Sequence, residues 1–237
     1  MFSAPQLQRL LRDEKRRRKG RSADLVFIGT HNVAQYWWCA MYAVLKSRAN
    51  ELQFFAAYLE DRINYALKLG RIARTPTKSA EILSAGKDVT LDDVQRFHPQ
   101  TLGGRKLLQS EDPPSYRWWF PWDRYVIGGI PDGLTRDTVL ERKNASNEYF
   151  AKTVARPVAR TQADLYGYFY GRPRKLVEIE ITEGAPALHL DEDVDEARAL
   201  ETLAKFRAVD VSGKAIRPKP EKCRHCEFND SCPISQV

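Results

Sequence analysis

The sequence predicts an α/β protein in which a mixed central sheet is flanked by helices. Helical patterns dominate residues 4–69, and segments rich in aromatic and β-branched side chains follow residue 116. A helical pattern at residues 161–171 separates two of those segments, and the order strand, strand, helix, strand implies a mixed sheet. A chain of this length can bury a substantial core, so residues 1–237 are expected to form a single domain.

A basic helix is predicted at the N-terminus. Residues 4–19 have a helical pattern within the basic segment 1–22, which contains the run RDEKRRRKGR. The formal net charge is +7, and such a balance favours polyanionic partners, because cations that neutralise DNA phosphates release counterions. The run alone is equally consistent with a solvated, partly frayed terminus.

Two further helices are predicted before residue 70. Thr30 or Asn32 can cap a helix that runs toward Leu45, which would place Cys39 on that helix. The other helix covers residues 51–69, where apolar residues recur at helical spacing until a glycine follows.

Residues 75–115 are predicted to be an insertion or a lid. They contain Pro, Gly, Lys and Asp punctuation around one short helix at residues 91–97.

The second half of the chain is predicted to supply the sheet. Residues 116–130 and 138–143 are interpreted as a hairpin joined through the turn-forming residues 131–133, and residues 175–182 as another strand. A final helix at residues 194–208 leads into the C-terminal tail.

The aromatic run SYRWWFPWDRY suggests a second contribution to nucleic-acid binding. Trp118, Trp119 and Trp122 lie beside Arg117 and Arg124, and exposed rings there could stack on unpaired bases. Packing in the core is the more common fate of such rings, because aromatic burial dominates core energetics.

Candidate catalytic side chains concentrate on the middle strands. Asp132 lies at the end of one strand, while Glu141 and Lys143 lie two residues apart on the next and therefore share a face. Two carboxylates can hold a divalent cation whose bound water becomes a nucleophile, and an amine can stabilise developing phosphate charge. Gln162 and Tyr166 are four apart on a helix and project from one side of it.

The cysteines predict a site that joins the two ends of the chain. Cys223, Cys226 and Cys232 lie near the C-terminus, and Cys39 is remote from them. Four thiolates suit either an iron-sulfur cluster or zinc. Two disulfides are the third interpretation, but a Cys-x-x-Cys pair in an intracellular protein favours metal or redox chemistry. Residues 217–237 are thus predicted to close onto the early cysteine.

No apolar run approaches the length needed to cross a bilayer. The expectation is a soluble, cytoplasmic protein without a membrane partner.

The motifs GGIPDGL, LERKN and QADLY, together with the four cysteines, resemble the RecB-like PD-(D/E)XK nucleases that carry an iron-sulfur cluster. The chain is most similar to the small CRISPR-associated exonuclease family. The resemblance implies a restriction-endonuclease-like core with a C-terminal iron-sulfur clasp. The cluster would be structural, most often 4Fe-4S and sometimes 2Fe-2S, and its implied ligands are Cys39, Cys223, Cys226 and Cys232.

The same resemblance implies the catalytic roles. Asp132 and Glu141 match the metal-binding carboxylates, and Lys143 matches the catalytic lysine. Arg142 would contribute its main-chain carbonyl to the metal, which would be Mg²⁺ or Mn²⁺.

Two features complete the implied site. Gln162 and Tyr166 match a Gln-x-x-x-Tyr motif that lies beside the active site and helps position DNA. The family also places a metal-binding histidine between the first cysteine and the aspartate. Here His98, Glu60 and Asp61 are candidates for that position, which stays unassigned.

The activity implied is 5′-to-3′ exonucleolytic cleavage of single-stranded DNA, with trimming of fragments before their capture in CRISPR arrays and CRISPR adaptation proteins as partners. Related nucleases act in viruses, recombination and replication, so those roles are alternatives. A rival from another class is a nonenzymatic, zinc- or cluster-stabilised nucleic-acid-binding protein, in which Asp132, Glu141 and Lys143 form only a salt-bridge set.

Overall fold

The computed structural model describes residues 2–18, 25–97, 117–182 and 188–237. Its helices are α1 (Ala4–Arg17), α2 (Thr30–Ala34), α3 (Ala40–Ala49), α4 (Glu51–Lys68), α5 (Ser79–Ser84), α6 (Leu91–Phe97), α7 (Arg156–Tyr170), α8 (Glu196–Ser212) and α9 (Pro220–Arg224). Its strands are β1 (Val26–Gly29), β2 (Trp118–Trp122), β3 (Tyr125–Gly129), β4 (Gly133–Leu134), β5 (Thr138–Ala145), β6 (Arg174–Ile181) and β7 (Leu188–Asp193). A helical turn at Glu148–Phe150 and a π-helical segment at Ala151–Ala155 lead into α7.

The predicted mixed α/β architecture is confirmed, but the described strands form two sheets. One sheet has the order β1-β3-β2, with β1 parallel to β3, and the other has the order β4-β5-β6-β7, with β5 parallel to β6. The prediction of one central sheet was therefore wrong. Pro131, which has no N–H to donate to a ladder, lies where the chain leaves the first sheet and enters the second.

The predicted hairpin was also wrong. The aromatic segment is itself a hairpin, because β2 pairs with β3 in antiparallel register and the chain reverses at Asp123 and Arg124. Asp123 has a φ of 48°, a left-handed conformation that aspartate tolerates better than most residues. The partners of β5 are instead the short strand β4 and the distant strand β6.

Most predicted helices are confirmed within a few residues, but the helix expected to carry Cys39 is interrupted. A 3-10 turn at Gln35–Trp37 separates α2 from α3, and Cys39 is the extended N-cap residue of α3. Consecutive aromatic residues lose side-chain freedom in a helix and favour it weakly. Here Trp37 is in addition drawn to α8, where its Nε1 donates to the Thr202 hydroxyl at 3.1 Å.

The helix α7 lies between the two sheets and holds them together. Its residues Ala159 and Ala163 pack in one core cluster with β5 and β6, while Val158 and Leu165 pack in another with Ile28 and Ile127 of the first sheet. The alanines of α7 thus pack on the second sheet and its branched side chains on the first, so both sheets lie against the same helix.

Several predictions fall partly outside the described residues. His98 and residues 98–115 of the predicted insertion lie there, as do residues 19–22 of the basic segment. Among the helices that the structure describes, none is long and apolar enough to cross a membrane.

Candidate active site

Strand β5 carries the centre of the candidate site. Glu141 and Lys143 lie on the same face of the strand, and the Lys143 ammonium forms an ion pair with Glu141 Oε1. The Glu141 side chain is 1% exposed and the Lys143 side chain is 31% exposed. The lysine therefore reaches from a buried carboxylate toward solvent.

Asp132 lies directly across from this pair. It precedes β4, whose antiparallel register with β5 pairs Gly133 with Leu140 and so sets Asp132 opposite Glu141. The main-chain N–H of Arg142 donates to Asp132 Oδ2 at 2.6 Å, which fixes the carboxylate against β5. The guanidinium of Arg142 instead pairs with Glu178 at 2.8 Å.

Helix α7 contributes the buried side chains of Gln162 and Tyr166 to the site. The Tyr166 hydroxyl donates to the carbonyl of Ile130 at 3.0 Å, and Gln162 Nε2 donates to that hydroxyl at 3.5 Å. Burial raises the pKa of Tyr166 well above its usual value, and the charge of Glu141 raises it further, so the hydroxyl stays protonated and able to donate. Tyr166 thereby holds the segment that precedes Asp132.

Tyr166 packs so closely against the end of β3 that only glycine fits at position 129. A Cβ added to Gly129 would lie 2.6 Å from the Tyr166 hydroxyl and 2.8 Å from the Thr30 hydroxyl. Glycine is thus required here for close packing, and its backbone has no positive φ.

Burial dominates the electrostatics of Glu141. Desolvation raises its pKa to about 8, the charge of Lys143 opposes this rise, and the charge of Asp132 adds to it. Although the ion pair with Lys143 favours the carboxylate, burial outweighs it. Burial therefore favours the protonated carboxyl, whereas Lys143 and an arriving cation both favour the carboxylate.

Two buried acceptor atoms in the site lack a partner. Glu141 Oε2 and Gln162 Oε1 have no hydrogen-bond donor among the described residues. Unpaired buried acceptors are costly, and oxygen atoms of this kind are the ligands that hard divalent cations prefer. The donor set fits such a cation. No group of three or more His, Cys, Asp or Glu side chains in the described part of the chain, the four cysteines included, is arranged to hold a metal ion, so the predicted cluster site is not seen.

His31 is a residue of this region that the sequence interpretation missed. Because β1 runs parallel to β3, the residues that follow both strands lie at the same edge of the sheet, and His31 follows β1 as Asp132 follows β3. The pKa of His31 is lowered by burial first and then by the charges of Lys143 and Lys46. The residue nevertheless keeps substantial solvent exposure.

A signal for His31 was present in the sequence. The short apolar run LVFIG ends two residues before it, and such runs are typical of buried parallel strands. A strand predicted there would have placed the following histidine beside the carboxyl end of a neighbouring strand.

Of the candidates for the unassigned position, Asp61 and Glu60 are engaged elsewhere, and His98 lies outside the described residues. Asp61 accepts from Arg117 Nε and, at 2.8 Å, from Trp119 Nε1. Glu60 lines a separate pocket with Phe2 and Thr75.

The tryptophans considered for base stacking are largely internal. Trp118 and Trp119 are 7% and 4% exposed, so the stacking interpretation was wrong for these two rings and the core interpretation is confirmed. Trp122 is only partly buried and stacks on Tyr125 at 6.1 Å.

The four cysteines line one small cavity. Cys39, Cys223, Cys226 and Cys232 surround it together with Trp38, Tyr42, Leu45 and Phe228 among others. Contacts with α3 hold the tail there: Glu227 pairs with Lys46 at 2.7 Å and accepts from the Tyr42 hydroxyl at 3.0 Å. The thiols are free, so the described chain contains no disulfide. Burial raises the pKa of Cys39, and nearby Cys232 and Cys226 add to that rise.

The fold and the site define a mixed α/β protein with two carboxylates and an ammonium converging at the edge of a sheet. No protein-family model matches the chain, and no curated protein matches it. Among solved structures, the crystal structure of SSO0001 aligns over 97% of this chain and 97% of its own, with a TM-score of 0.45 and 14% sequence identity. A likeness this weak indicates neither a shared site nor a shared function.

Proposed function

We propose that this protein is a metal-dependent deoxyribonuclease with a PD-(D/E)XK core, which cleaves single-stranded DNA exonucleolytically from the 5′ end. The observation that carries the proposal is the convergence of Asp132, Glu141 and Lys143, with Gln162 and Tyr166 packed behind them. The pair Glu141–Lys143 alone is common on strands, and the pair Gln162–Tyr166 alone is common on helices. Their assembly around buried acceptors without partners is what supports catalysis over a surface salt-bridge set.

The residues that would hold Mg²⁺ or Mn²⁺ are Asp132 and Glu141, with the main-chain carbonyl of Arg142. When bound, the cation supplies a water of lowered pKa and neutralises charge on the phosphate. Lys143, anchored by Glu141 and open to solvent on one side, adds positive charge where the pentavalent phosphate develops. The charge of Lys143 lowers the pKa of His31, which makes His31 the candidate for a further ligand or a phosphate contact.

The surrounding elements keep these groups in position. Tyr166 holds the carbonyl of Ile130, two residues before Asp132, and the Arg142 N–H holds the aspartate itself. Side chains fixed in this way lose little entropy when the substrate binds. Such positioning of groups is a large part of what a protein contributes to phosphoryl transfer.

We also propose that the four cysteines hold a structural iron-sulfur cluster, 4Fe-4S in preference to 2Fe-2S. The support is that all four thiols, including the remote Cys39, line one cavity. The cellular role that we propose is trimming of DNA before its capture in CRISPR arrays, together with adaptation proteins. A viral, recombination or replication nuclease is the alternative for the same chemistry.

The proposal is tested by Mn²⁺-dependent cleavage of an end-labelled single-stranded oligonucleotide. Lys143→Gln should lower the rate about 100-fold to 1,000-fold, since it removes charge stabilisation at the phosphate. Lys152→Gln, which removes an exposed lysine paired with Glu148, should leave the rate unchanged. Equal rates in the wild type and Lys143→Gln would point to a contaminant and remove the proposed site.

A further inference from the structure

A second feature of the molecule lies beside the cysteine cavity and away from the carboxylates. An open groove of about 560 Å³ lies there. It is lined by the 3-10 turn before α3, the end of α8, the loop that follows α8, and α9. Its volume lies in the range of ligand pockets, which is about 300–1,000 Å³. Trp38, Cys39, Pro218 and Lys222 line both the groove and the cysteine cavity.

The groove is basic. Lys205, Lys214, Arg217 and Lys222 line it, and none of its described lining residues is acidic. Lys205 pairs with Glu201 at 2.6 Å on the exposed surface of α8, and such pairs are weak and exchangeable. A concave surface with this charge concentrates polyanions.

The groove also presents aromatic rings that are already fixed. Trp37 is held by its Nε1 bond to Thr202, and the cationic groups of Arg198 and Lys205 lie 5.5 Å and 5.2 Å from its ring. Tyr36 meets it edge to face, with 5.8 Å between the ring centroids. A ring held in this way binds a base at a small entropic cost, and displacement of a flexible lysine from its face frees that lysine for a phosphate.

The loop between α8 and α9 adds an exposed apolar side chain. Ile216 is 93% exposed and lines the same groove as the aromatic rings. Rings, an exposed aliphatic side chain and cations together suit an unpaired nucleotide, because bases in a duplex are stacked and paired and do not reach the walls of a groove.

We propose that this groove, defined by Trp37, Lys205, Lys214, Arg217 and Lys222, binds single-stranded DNA by stacking a base on Trp37 and holding the flanking phosphates with the cations. The proposal rests on the proposed nuclease function, for which it supplies a substrate-binding surface separate from the catalytic residues. An acidic peptide is the competing occupant. It would use the cations but gain nothing from the ring.

The test is the affinity for a fluorescent 20-nucleotide single strand, measured by anisotropy in EDTA at several salt concentrations. Lys214→Gln/Arg217→Gln removes two exposed cations of a loop, so it should weaken binding about tenfold. It should also reduce the slope of log K against log salt by about 1.4, the value for two single-strand phosphate contacts. Trp37→Leu should weaken binding about tenfold to 100-fold with the slope unchanged.

The matched control is Arg71→Gln/Lys87→Gln, two exposed cations near the ends of α4 and α5, which should bind like the wild type. Wild-type affinity and slope in Lys214→Gln/Arg217→Gln would overturn the proposal. So would displacement of the strand by polyglutamate as effectively as by unlabelled DNA, since that result identifies an acidic-peptide site. Because EDTA prevents cleavage, binding is measured separately from activity. If the groove variants bind more weakly and the wild type does not cleave DNA with Mn²⁺, the nuclease function is removed and the groove remains.

Discussion

At the scale of single residues, Glu141 is the buried carboxylate on which the proposed cation site depends. Burial raises the pKa of Glu141 to about 8 despite Lys143, and it likewise raises the pKa of Asp164 despite the ion pair of that residue with Lys175. Glu141 Oε2 also has no donor among the described residues. Both features cost stability in the absence of a ligand, as is common at functional sites.

The raised pKa predicts how stability depends on pH without a divalent cation. The folded pKa lies above the usual value of 4.5, so the folded chain binds more protons between about pH 4.5 and 8. Stability should therefore fall as pH rises through that window, by at most about 1.4 kcal/mol per pH unit. Urea unfolding in EDTA measures it. Glu141→Gln should lose this slope, and an unchanged slope in that variant would assign the effect to other groups.

At the scale of elements, the close contact between β3 and α7 sets the position of Asp132. Gly129→Ala should destabilise the protein by about 1–3 kcal/mol, because the new Cβ would lie 2.6 Å from the Tyr166 hydroxyl. Chemical denaturation measures the change. Adding Tyr166→Phe removes that oxygen, so the double variant should be less destabilised than the sum of the single variants. Strict additivity would contradict the contact.

The elements also show what local sequence could predict. The helices at Glu51–Lys68 and Glu196–Ser212 were predicted within a few residues, because their apolar periodicity and end signals are local, whereas the helix Arg156–Tyr170 begins five residues before its predicted start. The strand Val26–Gly29 was missed and the hairpin was misassigned. The apolar run LVFIG marks that strand locally, whereas the partners of β5 depend on pairing across long sequence separations, on which periodicity carries no information.

The same limit applies to the candidate site. The shared face of Glu141 and Lys143 followed from the two-residue period of a strand, and the Gln162–Tyr166 contact followed from the helical period. The position of His31 did not, because it depends on the parallel pairing of β1 with β3. The break before Cys39 likewise depends on the contact of Trp37 with Thr202, far along the chain.

At the scale of the whole molecule, the C-terminal tail joins the ends of the chain at the cysteine cavity. Anaerobically purified protein should contain about four irons per chain and absorb broadly in the visible range. Cys223→Ser should lose the iron and most of the stability that the tail provides, because metal binding and folding are coupled. Metal analysis and thermal unfolding measure both. Colourless protein with zinc in place of iron would contradict the cluster.

The contacts of the tail with α3 provide the control for that experiment. Glu227→Gln breaks an exposed pair with Lys46, so it should change stability by less than about 1 kcal/mol and leave the iron content unchanged. Loss of iron in this variant would mean that the docking of the tail, and not its thiols, determines the site.

The central claim is that Asp132 and Glu141 form a divalent-cation site, and calorimetric titration of Mn²⁺ in buffers of different ionisation enthalpy tests it most directly. A carboxyl with a pKa of about 8 is roughly nine-tenths protonated at pH 7. Binding should therefore release nearly one proton per ion at pH 7 and only about a tenth of a proton per ion at pH 9. Glu141→Gln should bind weakly without proton release, and Glu178→Gln, which alters a buried carboxylate paired with Arg142, should behave like the wild type. Mn²⁺ binding that is equally tight and releases as many protons in Glu141→Gln would contradict the claim.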